Sequence, residues 1–389
     1  MQARPRPRPK TVYVYGGNDP HFHSGRASAL LASFAASDHV DPDTRVLPLN
    51  YIRTRYMPVT VLRYLVENRG GRAGFLFSDA YHNRCLRDAP ASVPDGSLVI
   101  SSAQNVGDVG RTLVRDKGVK LYFYLDATLR QYWGAVVGTK GADHLRRLLE
   151  SERLSFKEAA GFFVYHEGVA AALRDDYGVP RDKIAVIGRG VTIRPDHIAA
   201  VRQEGHQEPR PASDQTLTLM TVGKDAARKG VFKVIEAIDR LPEAERRRIR
   251  YVVAGPDRSA LPARAFVEPL GFVTGEGRRA LLTRMRRADL GVLLSEWEGL
   301  PGSVYEFLTL GTPCWMSDLP HTEALRAHPG VVSEPLPIDG ARVAERLRAF
   351  LHDPAALRDL RQRAESQWDA FTWGPIVQTM SDVMGTSRR

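Results

Sequence analysis

The chain has 389 residues, 43% hydrophobic and 26% charged, with 33 Gly, 25 Pro and two Cys. That length exceeds one ordinary core and suits two domains, and the balance of apolar and charged residues excludes wholesale disorder. Cys85 and Cys314 lie too far apart in sequence to suggest a disulfide framework or a zinc site, so a reducing, cytoplasmic compartment is expected by default.

The net charge of +10 invites a nucleic-acid reading, but six of the charges lie at the chain ends. They are Arg4, Arg6, Arg8, Lys10, Arg388 and Arg389, and the body keeps a surplus of only four. No basic run interleaved with aromatics stands out there, so nucleic acid is not expected as a partner. Residues 1–10 read as a basic, Pro-alternating, solvated tail without the apolar core of a signal peptide. No run approaches the roughly 18 apolar residues of a membrane span. A soluble protein is expected, with peripheral contact at the inner membrane face left open.

In chain order, short apolar runs rich in Val, Ile, Phe and Tyr predict strands at Thr11–Tyr15, Arg45–Leu49, Gly74–Phe77, Ser97–Ile100, Val119–Leu125, Phe162–Tyr165 and Ile184–Ile187. They show little polar alternation, as strands buried on both faces of a parallel sheet do. Helical patterns fall between them at Arg26–Ala36, Val59–Asn68 and Lys157–Ala160. The second half repeats the scheme, with strands at Thr216–Val222, Ile249–Ala254, Asp289–Leu294, Thr312–Met316 and Val331–Ser333. Helices are expected there at Val231–Arg240, Glu276–Arg287, Ser303–Leu310 and Pro354–Gln367. This alternation predicts an α/β protein of two Rossmann-like domains, residues 11–195 and 216–370, facing across a cleft. Residues 196–215 read as a polar linker, and residues 371–389 as a C-terminal helix packing back on the N-terminal domain.

Two segments carry the sharpest chemistry. In "SEWEGLPGSVYEF", from Ser295 to Phe307, a buried strand ends in a polar loop before Pro301, Gly302 and Ser303 open a helix. Free amides and the positive dipole end at such a start suit a phosphate. Glu298 precedes that helix and Glu306 lies eight positions later. Carboxylates accept hydrogen bonds from paired sugar hydroxyls, although on spacing alone capping and dipole partnership is the favoured reading of two such glutamates. In "TVGKDAARKG", Thr221 to Gly230, a strand runs into Gly223, and Lys224 and Lys229 bracket a short loop. Two cations there could clamp a diphosphate. The order is not that of a Walker loop, and solvated lysines are the plain alternative.

Taken in order, "FFVYHEGVAAALRDDYGVPRDKIAVIGRGV", "VGKDAARKG", "LGFVTGEGRRALLTRMRRADLGVLLSEWEGLPGSVYEFLTLGTP" and "FTW" resemble glycosyltransferase family 4 over about residues 160–373. Those are retaining enzymes of GT-B fold that use nucleotide-activated sugars. The resemblance implies that Lys224, standing where Arg is usual, and Lys229 contact the donor diphosphate. The Lys-for-Arg exchange loses bidentate geometry. Glu298 would touch the transferred sugar, and Glu306 the ribose hydroxyls. Gly223, Gly299 and Leu300 fall in the same donor loops, amides near Ser303 and Val304 would hold phosphate, and the backbone at Phe272 and Val273 would lie beside the base.

The N-terminal half matches loosely. Gly16 and Gly17 occupy the place of the family's glycine-rich loop, or else form a plain tight turn. Asp126 stands in "YFYLDATLRQYW" where many relatives carry His, although a subset has Asp-Ala-Thr. It would orient the sugar or stabilise positive charge at its anomeric carbon, or else cap the following helix. His21, His23 and His166 are acceptor candidates.

The expected reaction moves a hexose-type sugar from a nucleoside-diphosphate sugar to an acceptor hydroxyl on the same face, with the leaving phosphate taking the acceptor's proton. No metal and no cofactor beyond the sugar nucleotide are expected. The alternative is a non-catalytic GT-B protein that binds a nucleotide or a partner.

Overall fold

The computed structural model describes residues 10–19, 25–67, 74–131, 142–207, 216–275, 277–298, 300–320 and 322–388. The chain divides into two compact units, Met1–Thr192 with Trp373–Arg389, and Ile193–Thr372.

The first unit is a parallel six-stranded sheet. Its strands are β1 (Thr11–Tyr15), β2 (Arg45–Leu49), β3 (Leu98–Ser101), β4 (Lys120–Leu125), β5 (Gly161–Val164) and β6 (Ile184–Val186), in the order β2-β1-β3-β4-β5-β6. Val12, Val14, Phe123, Phe163 and Val164 have no exposed surface, which is why these runs lack polar alternation. The helix Trp373–Met384 belongs to this unit. The indole Nε1 of Trp373 donates to the Val191 carbonyl at 2.6 Å, and its ring lies against Gly190.

Three local expectations are corrected here. Gly74–Phe77 is not a strand: Gly74 has φ of 78° and Phe75–Phe77 form a 3-10 turn. Phe75 packs edge-on against Tyr64 and Tyr81 at 5.1 and 5.3 Å. The helix expected at Lys157–Ala160 in fact ends at Lys157 and begins at Ala142. The stretch 196–215, read as a polar linker, holds the helix Pro195–Gln207 across much of its length.

The second unit is a second parallel six-stranded sheet. Its strands are β7 (Leu217–Val222), β8 (Ile249–Ala254), β9 (Val267–Gly271), β10 (Leu290–Leu293), β11 (Cys314–Ser317) and β12 (Val331–Glu334), in the order β12-β11-β10-β7-β8-β9. The sequence reading omitted β9. It is a half-buried edge strand with Glu268 and Pro269 at its centre, and proline is tolerated at an edge.

Strand order reverses between β7 and β10, which pair directly through Leu219 with Leu290 and Met220 with Gly291. The hydroxyl of Thr221 binds β7 to β10 by donating to the Val292 carbonyl at 2.7 Å. In open α/β sheets, ligands bind outside the carboxyl ends of the strands at such a reversal. The two loops singled out above leave the sheet there, one from β7 and one from β10.

Candidate active site

The loop after β7 is shaped by two glycines. Gly230 has φ of 72°, and a Cβ there would lie 2.1 Å from the Leu294 carbonyl oxygen, so only glycine brings this loop against the end of β10. Gly223 leaves room for the Lys229 stem: a Cβ would stand 2.8 Å from Cε of Lys229. Held this way, Lys229 is buried and its ammonium lies 2.6 Å from Oε1 of Glu298. The same oxygen accepts from the Arg228 guanidinium at 2.7 Å and from the Ser295 hydroxyl at 3.0 Å. Two loops 70 residues apart in sequence therefore meet on one carboxylate oxygen.

The second glutamate is equally enclosed. Glu306, on the helix Gly302–Thr309, is buried and ion-paired with Arg278, near the start of the helix Gly277–Arg287. At the start of Gly302–Thr309 no side chain caps the helix. The Val304 amide is already engaged, donating to the Pro301 carbonyl at 2.9 Å. Of the two amides expected to meet phosphate, it is therefore the less available.

Lys224 stands apart from this pair. It is exposed, and its ammonium lies over the ring of Phe272, 4.3 Å from the centroid. Phe272 directly follows β9 and is itself exposed, so the two form a cation–π contact at the same sheet edge. Val273 and Leu300 are partly buried beside these loops, and Gly299 lies outside the described residues. Trp315 is a core side chain, whereas Trp297 is substantially exposed.

In the first unit, Gly16 and Gly17 form a compact turn: the Gly16 amide donates to the Leu49 carbonyl at 2.9 Å, and the Gly17 amide to Val14 at 3.1 Å. His21 and His23 lie outside the described residues. Asp126, just past β4, is ion-paired with the buried Arg26 at 2.9 Å, and Arg26 also donates to the Tyr165 hydroxyl at 2.9 Å. Burial alone would lower the Arg26 pKa, but the neighbouring Asp126 outweighs it and holds the guanidinium above its ordinary value. A carboxylate so neutralised suits accepting a hydroxyl hydrogen bond better than stabilising a cation. The loop after it is tied down, since the Leu129 amide donates to Oε1 of the fully buried Glu152 at 2.7 Å, and Tyr177 donates to Oε2. Burial pushes the Glu152 carboxyl up to about 8, against both of those hydrogen bonds. His166 follows β5, is half-buried in extended backbone, and accepts the Val169 amide at its carbonyl at 3.1 Å.

Arg228, Arg278, Ser295 and Arg26 were not singled out from the sequence. Arg26, Arg228 and Arg278 meet carboxylates far off in the chain, whereas Ser295 stands only three positions before Glu298; the "ARKG" run and the quoted "SEWE" were the signals on offer.

Comparison with known proteins fits the second unit most directly. Residues 202–367 match the family model of glycosyl transferases group 1. A Bacillus subtilis (strain 168) protein assigned to teichuronic acid biosynthesis, the glycosyltransferase TuaC, is 25% identical over 229 residues, covering 56% of this chain. The match spans 55% of that relative's own length. Among solved structures, sucrose-phosphate synthase from Thermosynechococcus elongatus superposes with a TM-score of 0.63 at 16% identity, covering 97% of this chain and 98% of the other. Anabaena Alr3699/HepE in complex with UDP gives 0.63 at 14% identity, covering 97% and 99%. The fold is of GT-B type. Among the described residues, no group of three or more His, Cys, Asp or Glu is arranged to hold a metal ion, and no helix is long and apolar enough to cross a membrane.

Proposed function

We propose that this chain is a glycosyltransferase that moves a sugar from a nucleoside-diphosphate sugar to an acceptor hydroxyl with retention of configuration. The observation that carries the reading is the meeting of Lys229, Arg228 and Glu298 at the strand-order reversal, inside the segment that matches glycosyl transferases group 1. A sugar diphosphate brings negative charge for the cations and hydroxyls for the carboxylate, so each group there gains a ligand partner.

In this reading Lys229 and Arg228 hold the diphosphate and stabilise the charge that grows on it as the glycosidic bond breaks. Glu298 turns from its internal cations to the sugar hydroxyls. Glu306, steadied by Arg278, accepts from the ribose. Lys224 swings from Phe272 toward the phosphates, and Phe272 lines the base. The acceptor hydroxyl attacks the anomeric carbon on the face the diphosphate leaves, and a leaving phosphate oxygen takes its proton. No carboxylate then has to form a covalent sugar intermediate. Asp126 accepts from a hydroxyl of the bound sugar or acceptor, and His166 is kept as an acceptor contact.

The test is nucleotide release from UDP-, GDP-, ADP- and dTDP-sugars, without acceptor and then with acceptor panels. UDP-sugars are the first donors to try, because the Anabaena structure of similar fold is described in complex with UDP. Lys229→Ala and Glu306→Ala are expected to lower release at least a hundredfold. Wild-type rates in both variants would reject the site.

A further inference from the structure

In the first unit, the helix Ala142–Lys157 buries Leu148, Glu152 and Phe156. Its other face carries Glu150, Arg153, Leu154 and Lys157, whose spacing of three, four and seven positions brings them together, and all four are exposed. This face lines a hollow of about 450 Å3 beside the amino ends of β5 and β6. Pockets for small molecules span about 300–1,000 Å3. The opposite wall is the end of the helix Glu167–Tyr177 and the residues after it, with Tyr177, Val179 and Pro180. Gly178 between them has φ of 66°, and a Cβ there would meet nothing within 4 Å, so the hollow stays open at that point. Tyr177 is fixed from behind: its hydroxyl donates to the fully buried Glu152, and its ring meets Phe156 edge-on at 5.1 Å. Phe156 in turn meets Phe162 of β5 at 5.2 Å. The core therefore already holds the apolar wall in place.

Three cations border this hollow: Arg153, Lys157 and Lys183. Among the described residues neither Arg153 nor Lys157 meets a carboxylate. Lys183 donates to the Ala159 carbonyl at 3.0 Å, which engages one of its three ammonium donors. Like charges four positions apart on a helix repel each other. The negative end of the helix dipole explains a basic residue in the last turn, such as Lys157. It does not explain Lys183, which the separate turn Arg181–Lys183 brings to the same hollow. Among the described lining residues Glu150 is the one carboxylate. Three cations against it leave two net positive charges, close to the charge of a phosphate monoester at neutral pH. A carboxylate ligand would neutralise only half of that. Bare phosphate would leave the apolar wall of Leu154, Tyr177 and Val179 without a partner.

We propose that this hollow binds a small phosphate monoester carrying an apolar ring, with the ring against Leu154 and Tyr177 and the phosphate among Arg153, Lys157 and Lys183. The inference does not depend on the transfer chemistry and is tested without it. The full chain is titrated by calorimetry with phenyl phosphate, and with inorganic phosphate for comparison. Phenyl phosphate is expected to bind with a Kd of about 1 mM or below, at least about fivefold more tightly than inorganic phosphate, because its ring buries apolar surface. The double variant Arg153→Gln, Lys157→Gln is expected to lose about tenfold or more in affinity for phenyl phosphate, at wild-type melting temperature because both side chains are exposed. Lys183→Gln is expected to weaken binding by about threefold or more. Lys229→Gln, which removes the buried cation of the second unit, is expected to bind phenyl phosphate as the wild type does. No saturable binding, equal binding of inorganic phosphate, or full affinity in the double variant overturns the inference. So does loss of binding in Lys229→Gln, because the probe would then be held by the second unit.

Discussion

The carboxylate of Glu298 is the most informative group to change, because its removal should move binding and turnover in opposite directions. One of its oxygens takes Lys229 at 2.6 Å, Arg228 at 2.7 Å and Ser295 at 3.0 Å, with 7% of the side chain exposed. Glu298→Gln keeps the shape and an acceptor but removes the charge. A hydrogen bond to a charged group contributes about 1.5–3 kcal/mol net. Arg228 is partly exposed and keeps Asp225 at 3.5 Å, so most of the effect falls on Lys229. With its counter-charge gone, the ammonium has more to gain from a diphosphate, by about 1–2 kcal/mol. That corresponds to roughly 5- to 30-fold tighter binding. The same change leaves a buried cation uncompensated and should lower the stability of the empty protein by about 1–3 kcal/mol. Turnover of the sugar donor should fall about a hundredfold, because the group proposed to orient the sugar has lost its charge. Titration calorimetry with the nucleoside diphosphate released fastest in the donor panel reads the binding, and urea unfolding reads the stability. Unchanged or weaker diphosphate binding by Glu298→Gln would show that Lys229 is a structural cation and not a phosphate ligand.

Three further outcomes follow from the geometry. Lys229→Gln should weaken diphosphate binding more than Lys224→Gln, since Lys224 is exposed over Phe272 while Lys229 is fixed at the strand-order reversal; calorimetry showing the reverse ranking would relocate the phosphate site. Gly230→Ala should destabilise the protein by about 3 kcal/mol or more in urea, from positive-φ strain plus a clash with the Leu294 carbonyl, and a loss under about 1 kcal/mol would contradict it. Glu152 titrates at about 8 in the folded protein against an ordinary 4.5, so its contribution to stability is complete below about pH 4.5 and is lost as pH rises through about 8. At about 1.4 kcal/mol per pH unit the whole fall is roughly 5 kcal/mol. Glu152→Gln should flatten most of it, and parallel stability–pH curves for the two proteins would refute the assignment.

The strands on either side of the site were legible in the sequence because burial on both faces leaves unbroken apolar runs. β7 and β10 and the helices after them stand where those runs predict. Gly74–Phe77 misled because a four-residue apolar run cannot distinguish a strand from a tight helical turn. β9 escaped because this half-buried edge strand carries Glu268 and Pro269 at its centre and so lacks an unbroken apolar run. Lys229 and Glu298 could be named from their loops, but not their contact. It is set by two glycines whose necessity lies in distances to Lys229 and Leu294, and no local pattern reports those. Arg278 and Arg228 were hidden for a related reason. In a chain with 55 lysines and arginines, the few that meet carboxylates across the fold look like all the others.

The return of the helix Trp373–Met384 to the first unit bears on how the molecule is made. The last turns there are stitched to early residues: Ser387 bridges Val40, and the Arg388 amide donates to His39 at 2.9 Å. During synthesis, residues 1–192 emerge first yet lack the strap that covers Gly190 and Val191 until residues 193–372 have followed. At about 5–20 residues per second that interval is roughly 10–35 s. The second unit, contiguous in the chain, can complete its own sheet within it. The first unit is thus begun before the second and completed after it, because its closing helix follows the second unit in the chain.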